Sequence, residues 1–430
     1  MNKTSLATFT GMAALALGLS GPVQAAGFYI QEQSVSGTGT AFAGQVAMPR
    51  DASILYYNPA GLTHLDDAQV NAGIHMIDGL GEMEDTGSTT SGAITIVSGQ
   101  PSSINDGGNP FPPGYVPNFY AATPLMNGDL WAGIGVSVPF GLATVYDEGF
   151  FGRYDSKKSS LRTMDIQPTL AYQVSDKVSI GGSVIVQYAR ADLDNKALFP
   201  LGGGNFDEVD SELTGDDWAY GVNLGIMYEP WDDTLIGLNY RSQTNQELEG
   251  SLTFVGPTLG VVTTAGAADV DLPEIASIGA SHKLNDRWTI MGHASWFGWG
   301  AFDAIDATTA NPALTPGAIL QNYQDSWAFA IGADYTLNEA WTLRGGFQYE
   351  ETPVTDEFRT TIVPDGDRLR FGAGFTYNMN DKMSLDVGGN YIETKDESLN
   401  ITRNEGLSTV SADYEGAGGV ILSAGFNYKF

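Results

Sequence analysis

Cysteine is absent from this 430-residue chain, which rules out disulfide staples, thiolate-ligated metals and thiol nucleophiles. Cations are scarce: 20 lysines and arginines stand against 51 aspartates and glutamates, a net charge of −31. The phosphate attraction that dominates nucleic-acid binding needs a basic surface, so nucleic acid is not expected as a partner. The only histidines are His64, His75, His282 and His293, with no metal-ligand spacing, and nothing in the sequence pairs one with a nucleophilic serine. No cofactor, metal centre or enzymatic activity is expected. Beyond residue 25 there is no apolar run approaching the roughly 18 residues that a membrane-spanning helix requires.

What is present begins with a leader. Lys3 gives a positive start, 6–19 is a short run of small and apolar residues, and Val23-Gln24-Ala25 offers small residues at cleavage positions. That pattern is a secretory signal peptide, 1–25. Its removal leaves 19 basic against 51 acidic residues, a net −32. An exported chain without helical spans is periplasmic, secreted or a β-barrel, because only helices and closed barrels satisfy their backbone inside lipid. The acidity reads as exposed acidic loops, with divalent-cation bridging to anionic lipopolysaccharide as a second reading.

The carboxyl end favours the barrel. From Val420, every second residue (Val420, Leu422, Ala424, Phe426, Tyr428, Phe430) is apolar or aromatic, and the residues between are largely small or polar. A period of two with one greasy face is a half-buried strand. Short polar turns recur at 124–129, 174–177, 229–234, 284–287, 337–340 and 379–382, built from Asn, Asp and Gly. Long connections near 79–115, 140–158, 196–212, 250–268, 304–321, 352–365 and 395–412 are expected between them. Short turns alternating with long loops mark an outer-membrane barrel, with periplasmic turns on one rim and extracellular loops on the other. Six hairpins, one run before them (67–78) and one after (413–430) predict an all-β, 14-stranded antiparallel transmembrane barrel over 67–430.

Alternation assigns faces. Leu170, Tyr172 and Val174 point to lipid and Asp165, Gln167 and Thr169 to the lumen. Leu385, Val387 and Tyr391 likewise oppose Asp386 and Asn390, and Trp341 and Leu343 oppose Arg344. The segment 26–66 is left over, too long for a lead-in and too short for a core of its own. A hatch, or plug, inside the lumen is the economical solution. Gly37, Gly39 and Gly44 lack a strand–turn–helix context and a P-loop lysine, so close packing against the wall accounts for them better than phosphate binding. Asn58-Pro59 initiates a turn.

At these residues the chain resembles the FadL/TodX family of outer-membrane transporters for long-chain fatty acids and other hydrophobic molecules. The resemblance spans the mature chain. It rests most on the Ala26-Gly27-Phe28 start and the Asn58-Pro59-Ala60 hatch motif, then on 139–144, 240–242, 271–274, Ser295-Trp296, 341–344 and 365–368. It implies capture of substrate by extracellular loops, rearrangement of the hatch and lateral release through a kink in the third strand, 129–139. It also implies assembly by the barrel assembly machinery, contact with outer-membrane lipid and lipopolysaccharide, and a monomer. Pro139-Phe140-Gly141 is the expected kink, since proline lacks a ladder donor and glycine weakens pairing. Inward-facing Arg241, Arg344 and Arg370, with Arg368 near its loop, are candidate headgroup ligands or lumen ion-pair partners. Asn195 stands where a fatty-acid transporter of the family is expected to carry a basic residue, which leaves alkanes and aromatics open as substrates. Leu198, Phe199, Leu201, Phe254 and Val255 are candidates for an apolar capture groove. The alternative is an aqueous porin, which the plug segment argues against.

Overall fold

The computed structural model describes residues 27–92 and 94–430; the expected signal peptide and Ala26 lie outside the described residues. Fourteen strands close into one antiparallel ring: β1 (Gln69–Asp85), β2 (Gly114–Leu125), β3 (Leu130–Ser137 and Gly141–Val145), β4 (Lys158–Ser175), β5 (Val178–Gly202), β6 (Asn205–Tyr228), β7 (Thr234–Arg241 and Thr244–Gly256), β8 (Gly260–Leu272 and Ile275–Lys283), β9 (Trp288–Phe297), β10 (Ser326–Asn338), β11 (Trp341–Glu350), β12 (Arg368–Asn380), β13 (Met383–Thr394) and β14 (Ser408–Lys429). Each pairs with its neighbour in sequence, and β14 closes on β1 from Gln69↔Lys429 through Asp85↔Ala412. Closure leaves no terminal strand with a free edge, which lets strands sit in lipid.

All six predicted short turns join consecutive strands. Three of the expected long loops are corrected. Residues 196–212, 250–268 and 395–412 are largely ladder: β5 and β6 run together to Gly202↔Asn205, and β7 and β8 to Gly256↔Gly260. Glu397–Arg403 pairs with the start of β14. Their Asp, Asn and Gly content reads as loop, but cross-strand partners hold the backbone extended, as where Lys196, paired with Asp210 at 2.9 Å, sits in the β5–β6 hairpin.

The predicted faces hold. Leu170, Tyr172 and Leu422 project from the outer wall, more than 45% exposed in the isolated chain, while Asp165 and Gln167 are wholly buried inside. Such a continuous apolar exterior suits lipid rather than water.

Residues 27–66 fill the lumen. They bond to wall strands on every side of the ring: Tyr120 of β2 donates to the Gln33 carbonyl (2.9 Å), Gln167 of β4 to Leu55 (3.0 Å), Ser281 of β8 to Ala47 (2.7 Å) and Asn390 of β13 to Thr38 (2.7 Å). Only a segment inside the ring reaches all four. Its apolar side chains, including Phe42, Leu55 and Leu62, share a core with Tyr120, Trp131 and Ala171 of the wall. The wall makes room with glycine. A Cβ at Gly237, Gly346 or Gly372 would overlap the hatch backbone at Val46, Thr40 or Ala41, and one at Gly225 would overlap Asn58. Glycine here is required by close approach, and the cost of a weak strand residue is offset by contact with the hatch.

Candidate functional site

The site starts where β3 breaks. β3 pairs with β4 through Ser137↔Asp165 and resumes at Gly141↔Arg162, so three residues, Val138–Pro139–Phe140, oppose two on β4. Pro139 lies within the break, and Gly141 is already back in the ladder. On its other edge β3 leaves β2 earlier. The β2–β3 ladder ends at Phe119↔Val136, although 114–118 of β2 go on pairing with β1. No ladder pair joins 114–118 to the facing 137–144. At about 3.4 Å per residue this window in the wall is roughly 17 Å long. Farther out the Val145 amide donates to the Pro110 carbonyl (2.8 Å) and closes it.

The hatch occupies the edge that β2 gives up. The Ile30 amide donates to the Pro139 carbonyl (2.7 Å) and the Gly141 amide to the Phe28 carbonyl (2.9 Å). Gln33 completes the mimicry: its Oε1 accepts from the Val138 amide (3.1 Å) and its Nε2 donates to the Val138 carbonyl (2.7 Å). Ile30 packs with Val116 and Val138 behind the window, and a side chain on Gly141 would collide with it, a Cβ falling 2.7 Å from Ile30 Cδ1. Phe28 sits edge-on to Trp299 (4.7 Å) and Phe302 (5.3 Å), and Tyr29 edge-on to Phe140 (5.5 Å). Burial pushes the Tyr29 hydroxyl up to about 12, so it stays neutral.

The rest of the hatch motif is an anchor. Asn58 caps the 3-10 turn Pro59–His64, its Oδ1 accepting from the Ala60 amide (3.2 Å). Its Nδ2 donates to Val46 of the hatch (2.7 Å) and to the Ile226 carbonyl of β6 (3.1 Å). Pro59 and Ala60 rest on wall Gly181.

The side chains of all four arginines are buried and engaged by carboxylates. Arg370 bonds to Glu32 of the hatch and lies over the Phe42 ring (5.3 Å). Arg241 pairs with Asp165 beneath Tyr56 of the hatch (5.4 Å). Arg344 reaches Asp386 (3.0 Å) and Asp334 (3.7 Å), and Asp334 also holds hatch Arg50 (2.9 Å). Arg368 pairs with Asp365, whose other oxygen accepts from the Gly27 amide (2.8 Å). Each therefore ties the wall to the hatch or to the carboxylates that hold it.

Above the hatch, toward the rim of the long connections, lies a narrow cavity with an almost wholly apolar lining, the kind of lining that receives a lipophile. Phe28 of the hatch and Leu142 of β3 form part of its floor; Leu161, Leu193, Leu248 and Val270 form walls. None of the four arginines lines it. Asn195 does not line it either: its Nδ2 donates to the Tyr154 carbonyl (3.3 Å). Of the loop candidates, Phe254 is buried with Val209 and Leu252, and Phe199 packs on that group together with Leu213, which continues into the cavity wall. Leu201 and Val255 are exposed and Leu198 is half-buried.

The cavity residues carried one unused signal. Along inward positions the sequence changes from polar to apolar toward the outer rim: Gln187 gives way to Ala189, Ala191 and Leu193 in β5, Thr163 to Leu161 in β4, and Gln246 to Leu248 in β7. A lumen that turns apolar in adjoining strands describes a lipophilic chamber.

A family model described as "Outer membrane protein transport protein (OMPP1/FadL/TodX)" matches residues 16–430. The "Long-chain fatty acid transport protein" of Escherichia coli O6:H1 is 28% identical over 462 residues, covering 100% of both chains. The crystal structure of a Pseudomonas aeruginosa FadL homologue superposes with a TM-score of 0.86 at 22% identity, covering 94% of this chain and 100% of that one. The Ralstonia pickettii toluene transporter TbuX superposes at 0.66 with 19% identity, covering 92% and 98%.

Proposed function

The chain belongs to the OMPP1/FadL/TodX family of outer membrane transport proteins, and from that premise we propose that it carries long-chain fatty acids or other hydrophobic molecules passively across the outer membrane. The observation that carries this reading is the apolar cavity floored by both Phe28 of the hatch and Leu142 of the interrupted strand. Substrate enters among the outer hairpins around Phe199 and Phe254 and settles in the cavity. Displacement of 28–33 from β3 then uncovers the window between β2 and β3, through which the substrate leaves sideways into lipid. The route spares an acyl chain the hydration cost of an aqueous pore, about 0.8 kcal/mol per methylene. The contents of the lumen weigh against a diffusion porin, since the hatch from Gly27 to Ala47 is buried without interruption. Uptake by a strain lacking its own transporter, fed labelled fatty acids, alkanes and aromatic hydrocarbons, tests the proposal. Expression is expected to restore uptake of at least one class. Steady single-channel conductance with free passage of small sugars would replace the reading with a porin.

A further inference from the structure

The cavity lining is apolar but for Ser160, Thr214 and Gln321. Gln321, on the outer connection just before β10, is 1% exposed, and neither its Nε2 nor its Oε1 has a hydrogen-bond partner. The Ser160 hydroxyl of β4, on a residue 2% exposed, is also unpartnered. Both side chains line the cavity. The Gln321 backbone is fixed, its amide donating to the Asp303 carbonyl (2.7 Å), so the side chain is presented by an anchored segment. Of the buried side-chain atoms left without a partner among the described residues, the Ser160 hydroxyl and the Gln321 amide are those whose residues line the apolar cavity, where a ligand's polar atoms can satisfy them.

We propose that Gln321 and Ser160 form a headgroup site for an uncharged group that both donates and accepts a hydrogen bond, such as a hydroxyl, primary amide or protonated carboxyl, borne on a long apolar body. A glutamine amide offers one donor and one acceptor side by side, and a hydroxyl can answer both. A carboxylate can accept from Nε2 and from the Ser160 hydroxyl, but it has no proton for Oε1 and turns its charge toward that oxygen. No ionisable side chain is among the residues lining the cavity, so a carboxylate would lose its hydration without a compensating cation. A plain alkane leaves the amide unsatisfied. This inference rests on the transport reading of the same cavity and narrows its substrate class.

The test is equilibrium binding of 1-dodecanol, dodecane and, at pH 8, dodecanoate to the purified full-length protein in nanodiscs. The cavity-filling variant Ala268→Trp defines the specific component. The alcohol is expected to bind roughly tenfold tighter than the other two, the value of one or two buried neutral hydrogen bonds. Gln321→Leu should abolish that preference while leaving dodecane unchanged or slightly tighter, and Ser160→Ala should reduce it severalfold on its own. Dodecanoate binding as tightly as dodecanol at pH 8 would overturn the proposal. So would an alcohol-to-alkane ratio untouched by both substitutions. If Ala268→Trp displaces dodecane but no alcohol preference exists, the headgroup site falls and the cavity stands. If Ala268→Trp displaces none of the three, the transport reading of the cavity falls with it.

Discussion

Replacing Glu32 with glutamine removes one charge from a fully enclosed contact between hatch and wall. Glu32 is fully buried, and Arg370, 1% exposed, is left with Asn390 Oδ1 at 3.2 Å and the Glu350 carboxylate at 3.9 Å. Breaking a buried ion pair costs about 3–5 kcal/mol. Glutamine keeps the shape and one acceptor, so the lower end, about 3 kcal/mol, applies, or roughly a hundredfold in the population of displaced hatch. The fourteen-strand ladder contains neither side chain's hydrogen bonds and should fold as before. Because the chain has no cysteine, a single Ile30→Cys in the hatch, 1% exposed in the native protein, reports displacement through its rate of maleimide labelling. Glu32→Gln should raise that rate by one to two orders of magnitude with unchanged heat-modifiable mobility of the barrel. Combining Glu32→Leu with Arg370→Leu should cost less than the sum of the two single changes, since neither charge is then stranded. Labelling that stays within about threefold of native in Glu32→Gln would refute the assignment of this pair as a hatch anchor.

Asn58→Ala removes the cap and both bonds that tie the hatch to Val46 and Ile226; about 1–2 kcal/mol of hatch stability should go, with faster Ile30→Cys labelling and an intact barrel. Uptake at native levels after deletion of 58–60 would count against the motif. Cysteines at Val116 and Val138, on opposite sides of the window, should abolish uptake when joined by a short bis-maleimide, whereas either cysteine alone should not; undiminished uptake in the cross-linked protein would remove the window as the exit.

The wall was legible because two signals are local: a period of two, and turns whose Asn, Asp and Gly residues need no distant partner. Pro139 announced the strand break for the same reason. What the sequence concealed depends on partners far along the chain. Glu32 and Arg370 are separated by 338 positions, and only closure of the barrel brings them together, so the arginines read equally well as ligand groups or as anchors. The window needed knowledge that 114–118 stay with β1 while β3 turns away. Gln321 lies in a connection without periodicity, where nothing local signals burial. The hairpin extensions were missed because ladder pairing overrode residues that favour turns.

The glycines beneath the hatch limit how the lumen can open. Residues 35–60 press on bare backbone at Gly237, Gly346, Gly372 and Gly388, whereas 28–33 meet the wall largely through hydrogen bonds and side chains, at β2, β3, β11, β12 and the aromatic group around Trp299. Were the whole plug to leave, the glycine positions would offer no side chain to fill the gap, and ions, bile salts and antibiotics would share the opening. A displacement confined to the first few residues leaves that seat occupied. The cell's permeability barrier is then kept by the part of the plug that stays in place.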